Sequence, residues 1–305
     1  MYDCIILGSG CAGLSAAIYA QRAKFNNIVI EKIYKGAGQI TESERVDNYM
    51  GLYGENGFSL GMKFREHAEK LGTQFIEATV THIEKADNHW NILTDDGKTW
   101  ESKTVIYALG TQRRKLGITG EKEYTGKGVS YCAVCDGAFY RKKVVAVVGG
   151  GDTALGDALL LSKFAEKVYL IHRRNDFRAN RTVQENIQSV DNIECIMNSN
   201  VTKISGERRV KSITLKNDMG EETEIAVNGV FVAIGSIPNT KILESIAELD
   251  NNGYVKADET GITTADGLFV AGDVRTKMLR QVITAASDGA NCVFSVEKYL
   301  REKCR

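Results

Sequence analysis

Hydrophobic and polar positions along the chain repeat one order of elements. An apolar strand at 2–7 leads into a glycine-rich turn at 8–13, an alanine-rich helix at 14–24 and a second apolar strand at 27–30. Short apolar runs bounded by glycine on either side of a helical segment are typical of a β-α-β unit. The chain therefore opens with a predicted β-α-β unit.

A second unit of the same kind follows in the middle of the chain, with a strand at 143–148, a glycine turn, a helix at 153–164 and a strand at 167–171. Each unit precedes residues that alternate like an antiparallel meander, and then a short buried strand that ends at a glycine. These segments are 80–102 and 104–110 after the first unit, and 201–227 and 229–235 after the second. We therefore predict an α/β protein with an internal duplication of the fold.

Composition narrows the class of protein. The 305 residues are 43% hydrophobic, enough to bury a large core in two domains. Lysine plus arginine and aspartate plus glutamate both total 39, so no overall charge favours nucleic acid or an acidic membrane surface. The chain shows no signal-peptide pattern and no run of 18 apolar residues, which argues against a membrane span. Seven scattered cysteines indicate a reducing compartment, so we expect a cytoplasmic protein.

The first glycine turn reads G-S-G-C-A-G and fits G-x-G-x-x-G between a strand and a helix. Such glycines let the backbone approach a pyrophosphate, which then lies on the helix N-terminus. An acid at the end of the next strand hydrogen-bonds a ribose diol and disfavours a 2′-phosphate, which favours FAD or NAD over NADP. The predicted contacts are Gly8, Gly10, Cys11, Ala12, Gly13 and Glu31.

A second segment, far along the chain, fits the same cofactor. A carboxylate follows the short apolar strand 268–271 and suits a polyol chain, while the N-terminus of the next predicted helix favours an electron-rich ring edge. A cofactor that needs two such distant segments is long, which points to FAD. The residues concerned are Gly272, Asp273, Arg280, Gln281 and Val282.

The second glycine turn reads G-G-G-D-T-A and fits G-x-G-x-x-A, again between a strand and a helix. The following strand ends in H-R-R rather than in an acid, and guanidinium groups bind a 2′-phosphate through paired, charge-assisted hydrogen bonds. We therefore predict an NADPH site. It comprises Gly149, Gly151, Asp152, Thr153, Ala154, His172, Arg173, Arg174 and Arg178.

Cys132 and Cys135 form a C-x-x-C pair between the two glycine turns, and Asp136 follows directly. Such a pair closes a small disulfide ring that is easily reduced and re-formed, and an adjacent acid can donate protons to the thiols or accept protons from them. The position indicates electron transfer between a nucleotide cofactor and a disulfide. A metal knuckle and a purely structural disulfide remain open as alternatives, but zinc would need two further ligands, so we predict no metal site.

Over essentially its whole length the sequence resembles the low-molecular-weight thioredoxin reductases. The matching segments are G-S-G-C-A-G, G-Q-I-T, D-N-Y-M-G, S-Y-C-A-V-C-D-G, G-G-G-D-T-A, H-R-R-N-D-F-R, G-S-I-P-N-T and F-V-A-G-D-V-R-T-K-M-L-R-Q-V-I-T-A-A-S-D-G-A. Residues 32–50 contain no cysteine, which separates the chain from the glutathione-reductase type, where the redox pair lies early in the FAD domain.

The resemblance implies two Rossmann-like domains of three layers (ββα), with the NADPH domain, 113–242, inserted into an FAD domain made of 1–112 and 243–305. Electrons would pass from NADPH through FAD to a Cys132–Cys135 disulfide. Cys132 would then attack the disulfide of thioredoxin or a thioredoxin-like protein, with Asp136 as the acid/base. The family is homodimeric and rotates its NADPH domain on hinges near 112–117 and 239–243. The resemblance adds four FAD contacts, Gly38, Gln39, Asn48 and Gly110.

Two positions depart from the family pattern. Cys11 replaces a proline in the first glycine turn, and the helix after Gly151 reads A-L-G-D-A where the family usually has two consecutive acids. Gly156 costs a helix interior roughly 1 kcal/mol relative to alanine, which leaves the geometry of the NADPH site open. A ferredoxin-driven disulfide reductase on the same scaffold and a non-catalytic flavin-binding redox sensor therefore stay as alternatives.

Overall fold

The computed structural model describes residues 1–33, 35–43 and 46–303, and contacts between residues divide the chain into two compact units. Unit 1 comprises Met1–Gln112 and Ile237–Arg305, and unit 2 comprises Arg113–Ser236. The chain leaves unit 2 about six residues earlier than the boundary expected after residue 242. The reason is packing, since Ile242 and Leu243 belong to the hydrophobic core of unit 1.

Unit 1 is built on a seven-stranded sheet in the order β3-β2-β1-β6-β5-β4, with β17 also paired to β6. Strands β1, β2, β3, β6 and β17 are parallel, and β4, β5 and the first part of β6 form an antiparallel meander. In chain order the elements are β1 (Tyr2–Leu7), α1 (Cys11–Arg22), β2 (Asn27–Glu31), α2 (Gly57–Lys70), β3 (Gln74–Glu77), β4 (Val80–Lys85), β5 (Trp90–Thr94), β6 (Thr99–Tyr107), β7 (Thr111–Arg113), β16 (Ser236–Pro238), β17 (Leu268–Val270) and α7 (Val282–Lys303).

Unit 2 contains a five-stranded parallel sheet, β11-β10-β9-β15-β8, and a separate antiparallel sheet, β12-β13-β14. In unit 2 the fifth parallel strand, β8, comes from the start of the unit and pairs with β15. In unit 1 the fifth parallel strand, β17, comes from the tail of the chain and pairs with β6. The elements of unit 2 are α3 (Glu121–Tyr124), β8 (Val129–Ser130), α4 (Ala133–Asp136), β9 (Val144–Val148), α5 (Asp152–Ser162), β10 (Lys167–Ile171), α6 (Arg181–Gln188), β11 (Ile193–Ile196), β12 (Ser199–Gly206), β13 (Val210–Asn217), β14 (Glu222–Ala226) and β15 (Gly229–Val232).

Side chains that alternate along the central strands create the three layers of each unit. In unit 1, Cys4 and Ile6 face a core shared with α1 and α7, while Ile5 and Leu7 face the core under the meander. Unit 2 repeats this arrangement. Val145 and Val147 pack with α5, whereas Ala146 and Val148 pack with β12–β14. A strand buried on both faces is apolar at every position, which is why these strands read as continuous hydrophobic runs. The predicted α/β fold of two Rossmann-like domains is confirmed.

One predicted pair of strands is a single element. The sequence predicts that the meander 80–102 ends before a separate strand within 104–110, but β6 runs unbroken from Thr99 to Tyr107. Its polar first half pairs with β5, and its apolar second half pairs with β17, so the change in composition marks a change of partner rather than a break. Among the described residues, no helix is both long and apolar enough to cross a membrane.

The buried core of unit 2 predicts a simple stability test. Leu170 on β10 is fully buried, so Leu170→Ala should lower the free energy of unfolding by about 2–5 kcal/mol, because it removes apolar contacts and leaves a cavity. Met219, at a turn, is 81% exposed, and Met219→Ala should change the free energy by less than about 0.5 kcal/mol. Urea titrations followed by circular dichroism measure both. Equal effects of the two substitutions would contradict the core assignment.

Candidate functional site

The first glycine turn exposes the N-terminus of α1 to a ligand. Gly8 has a φ of +100°, and a Cβ on Gly13 would lie 1.9 Å from the carbonyl oxygen of Gly8, so the turn closes only without side chains there. Gly10 is the N-cap residue, and no side chain caps the helix in its place. A Cβ on Gly38 would lie 2.8 Å from the Cα of Gly10. The amide groups at the start of α1 are therefore available to an anion such as a pyrophosphate.

Cys11 and Ala12 occupy the first positions of α1. Burial, and secondarily the charge of Asp273, raises the pKa of the Cys11 thiol to about 12. The thiol therefore stays protonated at neutral pH and places no negative charge beside the helix N-terminus. The substitution of cysteine for the family's proline leaves this turn suited to an anion.

Glu31 ends β2 and is buried, with both carboxylate oxygens 2.7 Å from Nη1 of Arg65 on α2. Arg65 is missing from the sequence-based prediction. A lone arginine inside a helix gives no sign of its partner, because the contact joins residues 34 positions apart. The acid at the end of β2 is thus held in a buried ion pair.

The turn at Gly272 and Asp273 is fixed by a buried carboxylate on α7. Asp288 accepts hydrogen bonds from the amide of Gly272 at 2.9 Å, from Nη2 of Arg275 at 2.6 Å and from Nζ of Lys277 at 2.9 Å. A single carboxylate therefore sets the backbone at the position expected to meet the cofactor. The sequence gives no indication of this role, since Asp288 lies 16 residues beyond Gly272.

Hydrogen bonds connect several of the other predicted FAD contacts within unit 1. Asn48 donates to Oε1 of Gln281 at 2.8 Å, directly before α7 begins at Val282. Arg280 donates to the carbonyl oxygen of Asp273 at 3.3 Å, and Gln39 donates to the backbone of Thr111, which follows Gly110. These hydrogen bonds connect residues from three parts of the chain, near 39–48, at 111 and at 273–281. The glycine turn before α1 and the side-chain amides of Gln39, Asn48 and Gln281 are groups that fit a dinucleotide.

The second glycine turn leaves the N-terminus of α5 similarly uncapped. Gly151 is its N-cap, no side chain caps the helix, and a Cβ on Gly151 would have no neighbour within 4 Å. Asp152 and Thr153 are exposed, whereas Ala154 is buried against the sheet. Open space and unpaired amide groups at a helix N-terminus fit a phosphate.

The basic segment after β10 is tied to this turn through its backbone. Arg178 N–H donates to the carbonyl oxygen of Gly150 at 2.7 Å, and Asn180 donates from its backbone to Oδ1 of Asp152 at 2.8 Å. The side chains of Arg173, Arg174 and Arg178 are exposed. The loop therefore presents three guanidinium groups close to the N-terminus of α5.

His172 differs from the three arginines in its environment. Its ring is buried and stacks on Phe177, and a Cβ on Gly150 would lie 2.2 Å from ring atoms of His172. Burial, with the neighbouring arginines, lowers the pKa of His172. The packed ring supports the glycine turn, and the three exposed arginines present charged groups that can meet a phosphate.

Cys132 and Cys135 form a disulfide at the start of α4. Cys135 N–H donates to Sγ of Cys132 at 3.2 Å, so Cys132 also caps this short helix. A backbone amide directed at a sulfur stabilises negative charge on it, which favours a thiolate at Cys132 once the disulfide is reduced. Within the described ranges no cluster of three or more His, Cys, Asp or Glu side chains could hold a metal ion.

Two residues that the sequence-based prediction missed flank the disulfide. Ser130 donates its hydroxyl to Oδ2 of Asp136 at 2.5 Å and accepts the backbone N–H of Cys132 at 3.1 Å. Glu121, which is buried, accepts from the hydroxyl of Tyr131 and from the backbone amides of Leu116 and Gly117 at 2.8–2.9 Å. The first contact fixes the acid beside the cysteines, and the second joins Tyr131 to the segment where the chain enters unit 2.

The altered helix α5 carries one half-buried acid, Asp157. Gly156 is exposed and a Cβ there would meet nothing within 4 Å, so it leaves a gap on the helix surface. Burial raises the pKa of the neighbouring Asp157 to about 6. The folded state therefore holds the Asp157 proton more tightly than the unfolded chain, and ionisation of this carboxyl group costs stability as the pH rises from about 4 to 6.

Asp157→Asn should accordingly stabilise the protein at pH 8 by roughly 1–3 kcal/mol, since it removes a desolvated charge. The gain relative to the unmodified chain should stay constant above about pH 6 and shrink as the pH falls from about 6 towards 4. Thermal unfolding of both proteins at matched pH values measures this difference. A gain that does not change with pH would show that the carboxylate is not desolvated.

The chain is similar to known proteins over nearly its whole length. Residues 2–289 match the family model described as pyridine nucleotide-disulphide oxidoreductase. The thioredoxin reductase of Bacillus subtilis (strain 168) is 38% identical over 304 residues, which cover 99% of this chain and 96% of that protein. The thioredoxin reductase of Treponema pallidum (strain Nichols) is 42% identical over 301 residues, covering 98% and 97%. The crystal structure of thioredoxin reductase from Streptococcus pyogenes superimposes with a TM-score of 0.94 at 40% identity, covering 99% of each chain.

Proposed function

The chain belongs to the pyridine nucleotide-disulphide oxidoreductase family and, within it, to the thioredoxin reductases, and from this premise we propose the route of its electrons. It is a flavoprotein disulfide reductase that uses FAD and NADPH. Our proposal assigns FAD to unit 1, NADPH to unit 2, and the delivery of electrons to thioredoxin or a thioredoxin-like protein to Cys132 and Cys135.

The proposal rests on one comparison between the units. Each unit has a helix N-terminus without a side-chain cap after a glycine turn, but the side chains at the end of the next strand are acidic in unit 1 and basic in unit 2. Glu31 lies at that position in unit 1, and Arg173 and Arg174 lie just past it in unit 2. An acid suits the ribose hydroxyls of FAD, while guanidinium groups suit the 2′-phosphate of NADPH. The two units would therefore select different dinucleotides.

FAD would be held by the glycine turn at 8–13, by Glu31, and by the segment that leads into α7. When bound, it supplies two-electron transfer between NADPH and a disulfide. The protein contributes amide groups at the start of α1 and α7, the fixed turn at Gly272 and Asp273, and the side chains of Gln39, Asn48 and Gln281. These groups orient the cofactor, and the buried Asp288 holds the Gly272 turn in place.

The cysteine pair would complete the reaction by disulfide exchange. In the dithiol form, the thiolate of Cys132 attacks one sulfur of the partner's disulfide, which forms a mixed disulfide and releases the partner's other sulfur as a thiolate. Cys135 then attacks Sγ of Cys132, which releases the partner's second thiolate and restores the Cys132–Cys135 disulfide. The Cys135 amide stabilises the Cys132 thiolate, and Asp136, positioned by Ser130, transfers protons to the leaving sulfurs.

Replacement of Cys135 tests the dithiol step. Cys135→Ser should retain FAD and its reduction by NADPH, but turnover with thioredoxin should fall at least about a thousandfold, because Cys132 can no longer be released from a mixed disulfide. Cys195→Ser is the matched control, since Cys195 is an exposed, unpaired thiol on β11 of the same unit. Thioredoxin-dependent NADPH oxidation measures both. Substantial turnover in the Cys135 variant would rule out the dithiol mechanism.

The choice of nucleotide rests on the basic segment. Replacing Arg173 and Arg174 with glutamine should raise the KM for NADPH by about tenfold or more and leave the KM for NADH nearly unchanged, since only NADPH carries the 2′-phosphate. Arg208 and Arg209, between β12 and β13, provide a control pair for the same double substitution. Steady-state kinetics with both nucleotides measures the ratio. Equal increases for NADPH and NADH would argue against a 2′-phosphate contact.

The electron donor can be tested directly by stopped-flow reduction of the flavin with NADPH, NADH and reduced ferredoxin. Rapid reduction by NADPH supports the proposal, while reduction by ferredoxin alone would favour the ferredoxin-driven alternative. The relatives named above are thioredoxin reductases, so they lend no support to that alternative or to a non-catalytic redox sensor.

We further propose that the enzyme is a cytoplasmic homodimer. The family resemblance supports the dimer, which light scattering of the purified protein would measure. Cys4, Cys11, Cys195 and Cys292 are free thiols, which suits a reducing compartment. The balance of acidic and basic residues gives no support for a nucleic-acid partner.

A further inference from the structure

The buried ion pair between Glu31 and Arg65 is more constrained than a surface salt bridge. Both side chains are buried, and one nitrogen of Arg65, Nη1, lies 2.7 Å from each carboxylate oxygen. Its Nε donates to Glu69 at 2.8 Å, and its guanidinium carbon lies 3.3 Å from the centre of the Phe75 ring. Three contacts on different sides therefore fix the guanidinium group, and the guanidinium group fixes the orientation of the Glu31 carboxylate.

Gly36 lies close to the Glu31 carboxylate. A Cβ on Gly36 would lie 3.5 Å from Oε2 of Glu31 and 3.0 Å from Oγ of Ser9, so any larger residue at this position would press on the groups beside the carboxylate. A carboxylate can accept about four hydrogen bonds, and Arg65 occupies one direction on each oxygen. Acceptor capacity thus remains on a carboxylate whose position is already set.

We propose that Arg65 is a positioning residue for the adenosine ribose of FAD. It holds the Glu31 carboxylate in the one orientation in which its remaining lone pairs accept hydrogen bonds from the ribose hydroxyls. The inference rests on the proposed binding of FAD to unit 1. Its physical basis is pre-organisation, because a carboxylate that is already fixed loses no rotational freedom when the ribose binds. An ion pair with the purely structural task of joining α2 to β2 would have no preference for a ribose hydroxyl.

The test compares two ligands on the full-length apoprotein, namely FAD and an FAD analogue that lacks the 2′-hydroxyl of the adenosine ribose. Dissociation constants come from titrations followed by flavin fluorescence. For the unmodified chain, loss of the hydroxyl should weaken binding by about tenfold to a hundredfold, as expected for a hydrogen bond to a charged group. Arg65→Lys keeps the positive charge but loses the planar group, so it should weaken FAD binding about tenfold and reduce the discrimination between the ligands to about twofold or less.

Glu66→Gln is the matched control, because Glu66 is an exposed acid on the same helix, α2, and pairs with Lys70 rather than with Arg65. It should preserve the dissociation constant for FAD and the discrimination between the two ligands. If Arg65→Lys weakens binding of both ligands by the same factor and so preserves the discrimination, Arg65 has a structural role only and the proposal is overturned.

Two further outcomes are decisive. If Arg65→Lys does not fold, Phe75→Leu serves as the second variant. It removes the aromatic ring that packs on the guanidinium group and leaves the charges of Glu31 and Arg65 in place. It should lower the discrimination severalfold, and an unchanged discrimination would overturn the proposal. If the unmodified chain binds FAD without distinguishing the two ligands, the ribose does not lie at Glu31, and the assignment of this contact in the proposed function fails together with the inference.

Discussion

The structure depends on helix N-termini that no side chain caps. In both units a glycine turn connects a buried parallel strand to a helix, and among the described residues the N-cap glycine offers no side chain to the first amide groups of that helix. Orphan amides of this kind cost free energy unless an anion or water satisfies them. The same feature that makes the turns unfavourable on their own makes them receptive to phosphate groups, and the sheets and cores on either side hold the turns in this conformation.

Buried carboxylates hold the segments around the candidate sites in place. Asp288 fixes the Gly272 turn, Glu121 holds the backbone where the chain enters unit 2, and Glu31 is held by Arg65. Asp288 and Glu121 each accept from several donors, and Glu31 is paired with one buried guanidinium group, which offsets the cost of burying these charges. The residues expected to contact cofactors are thus supported by acids whose role lies in the geometry they impose.

Much of the site followed from local sequence signals. Glycine turns after apolar strands, the C-x-x-C-D segment and the acid or arginines at the ends of the second strands are all read from short segments, because each depends on backbone conformation within a few residues. The supporting residues were not foreseen. Arg65, Glu121, Ser130 and Asp288 act through specific contacts that local sequence does not reveal, even though Ser130 and Asp288 lie in segments that match the family. His172, which we predict to lie at the NADPH site, has a buried ring that packs under the glycine turn.

The sequence by itself determined the order of elements, the duplication of the fold, the positions of both glycine turns and the C-x-x-C pair that forms the disulfide, because these are encoded by periodicity and by residues close together in the chain. Only the tertiary structure decided that β6 is one strand with two sets of partners and that the chain returns to unit 1 after residue 236. It also decided which side chains fix Glu31, Asp136 and the Gly272 turn. Those features arise from contacts between segments up to hundreds of residues apart, and packing selects among pairings that the local sequence leaves equivalent.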